Sequence, residues 1–557
     1  MISDSTIKRS RRIDMTQNAA QAIDALAAPR DDDGVLIWPT ASTLLETARK
    51  NRTLRKGYTF ELSGRPANSW FRHLDDAPLT FITGHQPEFL HPGVWAKNVA
   101  VSRLSNVAGG LAAFLVVDSD APHRLAIDWP DDSEGLCHIG SAALRSFRTG
   151  PSFEHLDDRI AGDMGIAMGG APDEISVGGV NLMSVFREAF LDSTGGTANR
   201  ADAADRPDYV ACWIRAMRAM ERALGCQSPD YQRVSDWFDW RTTAPAFAQT
   251  RESSAAFVAH LITHAREFAN AYNAALAGYR LRRNMHGRQH PVPDLAVEPV
   301  RVELPFWHVG TAAPRHRLWV SFPGGDRIGL HAENEPLGEV SASMLDREPL
   351  ATLSGVIPPR GLRPRALAQT LFARLFECDL FVHGIGGAKY DTITDEIIRK
   401  FFGVQPPDFA CITATLRLPV RRFGVTPENL AAARHAERDV RFNPLRHANG
   451  GSLPKEAKEW IDLREQAVAE STQLHRAKSR ERTRRRTAFQ NIRRANDSLL
   501  RLLPNLKDDA LHRARELERQ AESDRIAASR EWFVALHPRE SLLRLIGKLG
   551  DALDGQK

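Results

Sequence analysis

The sequence predicts an α/β protein whose core is a Rossmann-like parallel sheet with connecting insertions, followed by a C-terminal antiparallel helical coiled-coil hairpin. Three features of the chain support this prediction. Apolar strands alternate with an amphipathic helix between residues 79 and 125, short alternating strands cluster between 300 and 333, and a Gly-free segment rich in Ala, Glu, Arg, Lys and Leu extends from 454 to 530. Uninterrupted apolar strands are typical of parallel sheets that are covered on both faces.

The composition is that of an ordinary globular protein. The chain has 557 residues, 42% of them hydrophobic and 26% charged, so we expect more than one packed core. Its five cysteines never form a C-x-x-C pair, which argues against a cysteine zinc site and a disulfide framework. The basic N-terminus carries no apolar segment, and the longest apolar run, LAAFLVV at 111–117, is too short to span a membrane. We therefore expect a cytoplasmic protein without membrane attachment.

Changes in composition and hydrophobic pattern along the chain predict six parts. They are a helical N-terminal segment (1–78), the first half of the core (79–125), insertions that are first helical and then a small antiparallel sheet (126–350), the second half of the core (351–450), a coiled-coil hairpin (454–535), and a C-terminal helix that packs back (536–557). The hairpin is expected to reverse at LLPNLKDD, because Pro-Asn interrupts two long helical patterns. Its first arm would then contain about 50 residues and be roughly 70 Å long.

A polar turn follows the first predicted strand of the core, in the stretch TFITGHQPEFLHPGVWAKN at 80–98. The start of a helix presents unpaired N–H groups and the positive end of its dipole, which favours an anion. This turn would suit a phosphate or a carboxylate. It offers close backbone approach at Gly84, the carboxamide of Gln86, the charge of Lys97 and the imidazoles of His85 and His91. The alternative is a Gly/Pro turn whose histidines cap the helix or face water.

The next apolar strand, in LAAFLVVDSDAPH, also ends in polar residues, namely Asp118, Asp120 and His123. In parallel sheets, ligands bind outside the carboxyl ends of the strands, so this group and the preceding turn are expected at one edge. One of these side chains could act as a general base if its pKa is suitable. Carboxylates at strand ends more often bind hydroxyls or amines than metals, and no metal site is predicted.

A second strand–turn–helix junction occurs at HGIGGAKYD, residues 383–391. Gly384, Gly386 and Gly387 would allow close approach of a ligand, and Lys389 could meet an anion. The spacing is neither that of a Walker loop nor that of a dinucleotide fingerprint, and a tight packing turn is the alternative. Arg363, in PPRGLRPRALAQ, is suited to bidentate recognition of a carboxylate or phosphate, although a solvated basic edge is the simpler interpretation.

The basic stretch RAKSRERTRRRTAF lies in the predicted hairpin. Because acidic residues are interspersed through the whole hairpin, a solvated or pairing helix face is the simpler interpretation. The net charge of +5 is also mild for this length. Nucleic acid is therefore not an expected partner.

The order of these motifs resembles the bacillithiol synthase family, the cysteine-adding ligases of bacillithiol biosynthesis. The TG-Q-Q-x-G opening of that family corresponds to TGHQPEFLHPGVWAKN, its S-E-D-H-D-like strand end to VVDSDAPH, and its ELPFW-like strand to Glu303–Trp307. Its L-R-P and G-G-P-G-E-x-x-Y segments correspond to RGLRPRALAQT and HGIGGAKYD, which ends the match near Tyr390. Three positions depart from the family pattern, namely His85, Glu88 and Lys389. The H-Q-P opening is also similar to the start of the WbqC-like family.

The resemblance implies a ligase of thiol biosynthesis that joins a small amino acid to an amine of a sugar-like acceptor. It also implies that ATP or ADP can bind the core and that the coiled coil forms a homodimer. The catalytic candidates are His85, Asp118, Asp120 and His123. The candidates for substrate or nucleotide binding are Gly84, Gln86, His91, Lys97, Arg363, Gly384, Gly386, Gly387, Lys389 and Tyr390. The alternative is a non-catalytic binding or assembly protein with a relic core and a coiled-coil dimerisation arm.

Overall fold

The computed structural model describes residues 20–71, 77–122, 124–146, 152–172, 181–195, 207–241, 248–310, 315–448, 453–478 and 480–555. The strands in this part of the chain are β1 (Gly34–Trp38), β2 (Glu61–Leu62), β3 (Arg65–Pro66), β4 (Thr80–His85), β5 (Leu111–Val116), β6 (Arg124–Asp131), β7 (His138–Ser146), β8 (Asp230–Arg233), β9 (Arg301–Val309), β10 (Arg315–Gly324), β11 (Arg327–Ala332), β12 (Glu335–Ser341), β13 (Leu362–Pro364), β14 (Leu380–His383) and β15 (Ala410–Thr415).

The helices alternate with these strands in the first half of the chain and dominate its end. They are α1 (Leu44–Lys56), α2 (Pro92–Ala108), α3 (Asp158–Ala167), α4 (Met183–Gly195), α5 (Tyr209–Ala223), α6 (Val234–Trp237), α7 (Ala248–Thr263), α8 (Ala265–Arg282), α9 (Ala342–Arg347), α10 (Pro349–Val356), α11 (Ala366–Phe372), α12 (Ile385–Ile397), α13 (Pro427–Asp439), α14 (Pro444–His447), α15 (Ala457–Arg476), α16 (Arg482–Leu502), α17 (Asn505–Ala527) and α18 (Arg539–Asp554).

The central sheet has six strands in the order β1-β15-β14-β4-β5-β8. All neighbouring pairs are parallel except β1 with β15, which is antiparallel. The chain adds β5 and β8 on one side of β4 and then returns to add β14 and β15 on the other side. The direction of winding therefore reverses between β4 and β14. The predicted α/β class with a parallel sheet is confirmed.

The expectation of a helical segment at residues 1–78 is met by α1, but the described part of this segment also contains the strands β1, β2 and β3. The apolar run GVLIW forms β1, which pairs along its whole length with β15 and completes the edge of the central sheet. The parallel sheet also recruits β8 from the region that was expected to contain only insertions. Long-range pairing decides both assignments, because a short apolar run is compatible with either a strand or a buried helix.

A second sheet lies between residues 301 and 364 and has the order β12-β11-β10-β9-β13, with antiparallel neighbours. Its short strand β13 carries the L-R-P segment and pairs with β9, so that Arg363 lies opposite Trp307. The ELPFW-like strand and the L-R-P strand are therefore neighbours in one sheet. This pairing brings two segments that are far apart in the sequence to the same edge.

Helix α2 connects β4 and β5 and is buried along most of its length. It starts with Pro92 directly after the capping residue His91, and it ends at Gly109 in the left-handed conformation, with φ of 61°. Gly84 in β4 has no space for a side chain, because a Cβ would lie 2.8 Å from the Leu115 carbonyl oxygen of β5. The C-terminal helix α18 packs on α2, where the Arg103 Nε donates to Asp554 Oδ1 at 2.7 Å.

The chain divides into two compact units. One comprises residues 1–129, 141–418 and 530–557, and the other comprises 130–140 and 419–529. In the second unit α15 and α16 are antiparallel neighbours, with Arg464 Nε bonded to Asn496 Oδ1 at 2.8 Å and Arg484 Nε bonded to Glu470 Oε1 at 3.1 Å. The expected 50-residue first arm is wrong, because α15 ends at Arg476 and a separate helix, α16, begins at Arg482, with Lys478 between them at a φ of 47°. LLPNLKDD instead separates α16 from α17.

Candidate functional site

His85 is the last residue of β4 and lies at the carboxyl edge of the central sheet. Its Nδ1 lies 3.2 Å from the Gln86 carbonyl oxygen. Burial, reinforced by the charge of Lys97, lowers the pKa of His85 to about 3. The imidazole is therefore neutral at physiological pH and can act as a hydrogen-bonding group.

His91 caps helix α2. The Gly93 backbone N–H donates to His91 Nδ1 at 3.1 Å, so this nitrogen is the unprotonated one. Burial lowers the pKa of His91 to about 4, and the charges of Arg530 and Lys97 act in the same direction. The capping alternative that the sequence left open is thus observed for His91.

Lys97 is a buried cation beneath this turn. Its side chain is almost entirely enclosed, with the whole residue 3% exposed, and its Nζ donates to the Gly84 carbonyl oxygen at 2.9 Å. Burial lowers the pKa of Lys97 to about 8. Among the residues that the structure describes, no carboxylate forms an ion pair with Lys97, although a buried ammonium normally has one.

Arg530 approaches the same corner from the C-terminal segment of the chain. Its Nη1 donates to the Ala414 carbonyl oxygen at 3.0 Å and to Thr415 Oγ1 at 3.1 Å, at the end of β15. Its charge contributes to the lowered pKa of His91. We call His85, His91, Lys97 and Arg530 the basic cluster.

A polar contact connects the ends of β4 and β5. Gln86 Nε2 donates to Asp120 Oδ2 at 3.0 Å. The other oxygen of Asp120 lies 3.4 Å from Arg315 Nη1, and the Asp120 side chain is 47% exposed. The two predicted strand-end groups do meet at one edge, and Asp120 is the carboxylate there that remains open to solvent.

Asp118 has a different environment, and the expectation that it contacts the substrate is corrected. It is fully buried, and it accepts from the Ser235 backbone N–H at 3.1 Å and from the Ser235 hydroxyl at 2.5 Å, at the start of α6. Burial, with the nearby Glu154 carboxylate, raises the pKa of Asp118 to about 7. Asp118 therefore holds a helix start and a loop rather than a ligand.

The expectation that Arg363 binds a ligand directly is also corrected. It is completely buried, and its guanidinium is engaged with Glu154, with Nε–Oε2 and Nη2–Oε2 distances of 2.9 and 2.5 Å. Glu154 is connected in turn to the strand end, because its backbone N–H donates to the Asp118 carbonyl oxygen at 3.0 Å. Arg363 thus fixes the loop that borders Asp120, and a bidentate pair in this setting leaves it little capacity for a ligand.

The HGIGGAKYD turn begins helix α12, with Gly384 as the N-cap and no side chain capping the first turn. A Cβ built on Gly384 or Gly386 meets nothing within 4 Å, so the start of this helix is open. The turn follows β14, which lies beside β4, with the Thr83 hydroxyl bonded to the Val382 carbonyl oxygen at 2.7 Å. The openings of α2 and α12 therefore follow adjacent strands, as the function hypothesis requires.

The remaining predicted residues differ in their surroundings. Gly387 contacts His383, whose Nδ1 would lie 2.9 Å from an added Cβ. Lys389 is partly buried in the first turns of α12. Tyr390 packs its ring on Tyr279 of α8 at 6.2 Å and is half exposed, so its ring contact is with a neighbouring helix. His123 lies outside the described residues.

Sequence reasoning missed Glu154, Arg315 and Arg530. Each is separated from its partners by tens to hundreds of residues, and no local pattern marks it. Arg315 also stacks over Trp307, at 5.4 Å from the ring centroid, and Arg365 lies over the same ring at 4.2 Å. The ELPFW-like strand thus contributes an aromatic ring near Asp120, flanked by two guanidinium groups.

The described part of the chain contains no helix that is both long and apolar enough to cross a bilayer. The same residues contain no group of three or more His, Cys, Asp or Glu side chains arranged to hold a metal ion. Comparison of the chain with protein-family models, with curated proteins and with solved structures finds no match. The family resemblance therefore rests on the motifs in the sequence.

Proposed function

We propose that this protein is an enzyme that binds an anionic small molecule at the carboxyl edge of its central sheet and forms an amide bond, as a ligase of the cysteine-adding type. The observation that supports this proposal most directly is Lys97, a buried ammonium whose hydrogen-bond acceptor is the Gly84 carbonyl oxygen and which has no carboxylate partner among the described residues. Enclosing a charge without a counter-ion is costly, so such a site favours a ligand that supplies the negative charge.

The strand order supports a Rossmann-like core. Read from β8 to β15, the parallel strands occur in the chain order third, second, first, fourth, fifth, which is the order of doubly wound nucleotide-binding sheets. In such sheets, ligands bind in the crevice where the winding reverses. Here that crevice lies between the ends of β4 and β14.

The residues around the crevice suit the two halves of a ligation reaction. Lys97 and the open first turn of α12 would hold a phosphate or carboxylate, since helix N-termini and ammonium groups both stabilise anions. Asp120 and Gln86 would orient the amine or hydroxyls of the acceptor, with Asp120 able to accept the proton that the amine loses. Neutral His85 would donate or accept one hydrogen bond beside them.

The same residues also fit the nucleotide that the resemblance implies. The open space at Gly384 and Gly386 would admit a phosphate chain close to the α12 backbone, and Lys389 lies within the same helix. A bound nucleotide would supply activation of the donor carboxyl group. The resemblance further implies a homodimer through the helical hairpin of α15 and α16, which sedimentation of the full chain would test.

Ligand-induced thermal stabilisation tests the proposal. Phosphate, ATP, ADP, cysteine and an amino sugar are added separately to the wild type, to Lys97→Met and to Asp120→Asn. We expect anions to raise the melting temperature of the wild type and of Asp120→Asn, whereas Lys97→Met should show no shift with them. Lys400→Met, which removes an exposed lysine in α12's C-terminal extension, is the matched control and should behave like wild type.

Turnover then separates an enzyme from a binding protein. Amide formation from cysteine, an amino sugar and ATP should be lost in both Lys97→Met and Asp120→Asn and retained in the control. Absence of stabilisation by every anion in the wild type would reject the site. Stabilisation without turnover for any amine acceptor would favour the non-catalytic alternative.

A further inference from the structure

The turn between α15 and α16 accounts for the net positive charge of the protein. Residues 476–486, RAKSRERTRRR, contain seven of the 74 Lys/Arg and one of the 69 Asp/Glu. The rest of the chain therefore carries 67 basic and 68 acidic residues, which is close to neutral. A mixed-charge interpretation averages over the entire hairpin, but all of its acidic residues except Glu481 lie along the arms and not at this turn.

The basic side chains of this turn are exposed, and few of them have acidic partners. Arg484 pairs with Glu470 and Glu481 at 3.1 and 3.2 Å. In the described part of the chain, Arg484 is the sole member of this stretch that forms an ion pair with a carboxylate. Such an excess of exposed guanidinium groups is expected to attract a polyanion.

One face of α16 combines this charge with an aromatic ring. Arg482, Arg486, Phe489 and Arg493 follow the spacing i, i+4, i+7 and i+11, so they form one line about 16 Å long. All four side chains are exposed, and Phe489 is 64% exposed. We call these four residues the arginine stripe.

We propose that the arginine stripe is a binding surface for a single-stranded polynucleotide. Guanidinium groups bind phosphates, and an exposed aromatic ring between them provides a platform on which a base can stack. Single strands, unlike duplexes, have bases free to stack on such a ring. A membrane surface is a poorer match, because the stripe carries one apolar residue and no apolar face that could insert between lipids.

Fluorescence anisotropy with a labelled 20-nucleotide oligouridine RNA and an oligothymidine DNA tests this inference on the full chain. Arg482→Gln/Arg486→Gln/Arg493→Gln should weaken binding at least 10-fold and reduce the slope of log K against log salt by about 2, because three phosphate contacts are lost. Phe489→Ala should weaken binding about 5-fold or more with an unchanged slope. Since these side chains are exposed, the melting curves of the variants should match that of the wild type.

The matched control removes the same charge from another exposed helix of the same unit. Arg513→Gln/Arg519→Gln/Arg525→Gln on α17 should bind within twofold of the wild type, because two of these arginines are paired with Glu516 and Glu522. Equal weakening by the control would overturn the stripe and indicate a net-charge effect. The proposal would be overturned if the protein bound a duplex more tightly than a single strand, or if Phe489→Ala left the affinity unchanged. It would also be overturned if the stripe bound phosphatidylglycerol vesicles but no oligonucleotide.

Discussion

Lys97→Met should make the protein more stable at pH 7 while removing its anion site. Ionised Lys97 is buried, and burial lowers its pKa from 10.5 to about 8. A difference of this size corresponds to about 3 kcal/mol of destabilisation of the folded state at pH 7. Methionine keeps an apolar stem of similar length without the charge. The lost hydrogen bond to the Gly84 carbonyl oxygen offsets about 1 kcal/mol, which leaves a net gain of about 2 kcal/mol.

The pH dependence of this gain follows from the sign of the pKa shift. Between the folded pKa of about 8 and the unfolded value of 10.5, the unfolded wild type binds more protons than the folded state. The stability of the wild type therefore rises with pH in this window relative to Lys97→Met, which has no titrating group there. The advantage of the variant should disappear by about pH 10.

Urea unfolding followed by circular dichroism at pH 7 and pH 10 measures both effects. Phosphate at pH 7 should raise the midpoint of the wild type and leave that of Lys97→Met unchanged, since the ligand supplies the missing counter-ion. Lys400→Met should change neither the midpoint nor the phosphate response. A variant that is less stable than wild type at pH 7, or a difference that does not vary between the two pH values, would refute the reasoning.

Three further outcomes follow from the same structure. Asp379→Asn should lower the free energy of unfolding by about 3–5 kcal/mol, because it removes the charge partner of the buried Arg55, which lies 2.6 Å from the carboxylate. Asp408→Asn, which breaks the exposed pair with Lys50, should lower it by less than about 1 kcal/mol. Urea titration measures both variants. Gly84→Ala should be destabilising by about 1–3 kcal/mol through contact with Leu115, measured as a fall in the urea midpoint, and an unchanged midpoint would contradict that close approach. The folded pKa of Asp118, about 7, is above the unfolded value, so the wild type should lose stability as pH rises from about 4 to about 7. Asp118→Asn should abolish this loss, because the amide does not titrate. Parallel pH profiles of stability for the two proteins would argue against a buried carboxyl.

The strand-end groups of the candidate site could be predicted because they are local in the sequence. An apolar strand followed by a polar turn and a helix identifies Gly84, His85 and Gln86 and, after the next strand, Asp120. Alternation of strands and helices also predicts the parallel pairing that brings these turns to one edge. Gln86 and Asp120 do form a hydrogen bond, at 3.0 Å.

Long-range contacts decided what each predicted side chain can do. Asp118 and Asp120 are two residues apart and chemically identical, yet one caps a distant helix start at Ser235 and the other faces solvent. The sequence predicted that Arg363 binds a substrate or nucleotide, but its guanidinium pairs with Glu154 instead. Neither difference leaves a trace in local spacing, because burial is set by which other segment packs against the residue.

The hairpin illustrates the same limit for secondary structure. A Gly-free, Pro-free stretch from 455 to 503 has no local signal that ends a helix, so one long arm was expected. The chain instead reverses between α15 and α16, which pack against each other and contain the buried residues Leu474 and Ala488. Tertiary contact outweighs helix propensity there, since most helix stability in proteins comes from packing of one face.

By itself, then, the sequence determined the α/β class, the order of the strand-end turns and the chemistry that they carry, because these depend on periodicity and on neighbouring residues. The tertiary structure alone decided that Lys97 is buried with a backbone carbonyl as its acceptor, that Arg530 reaches the end of β15, and that Asp118 and Arg363 are withdrawn from the surface. Charge, exposure and pKa depend on which distant segments surround a group, and only the folded chain brings those segments together.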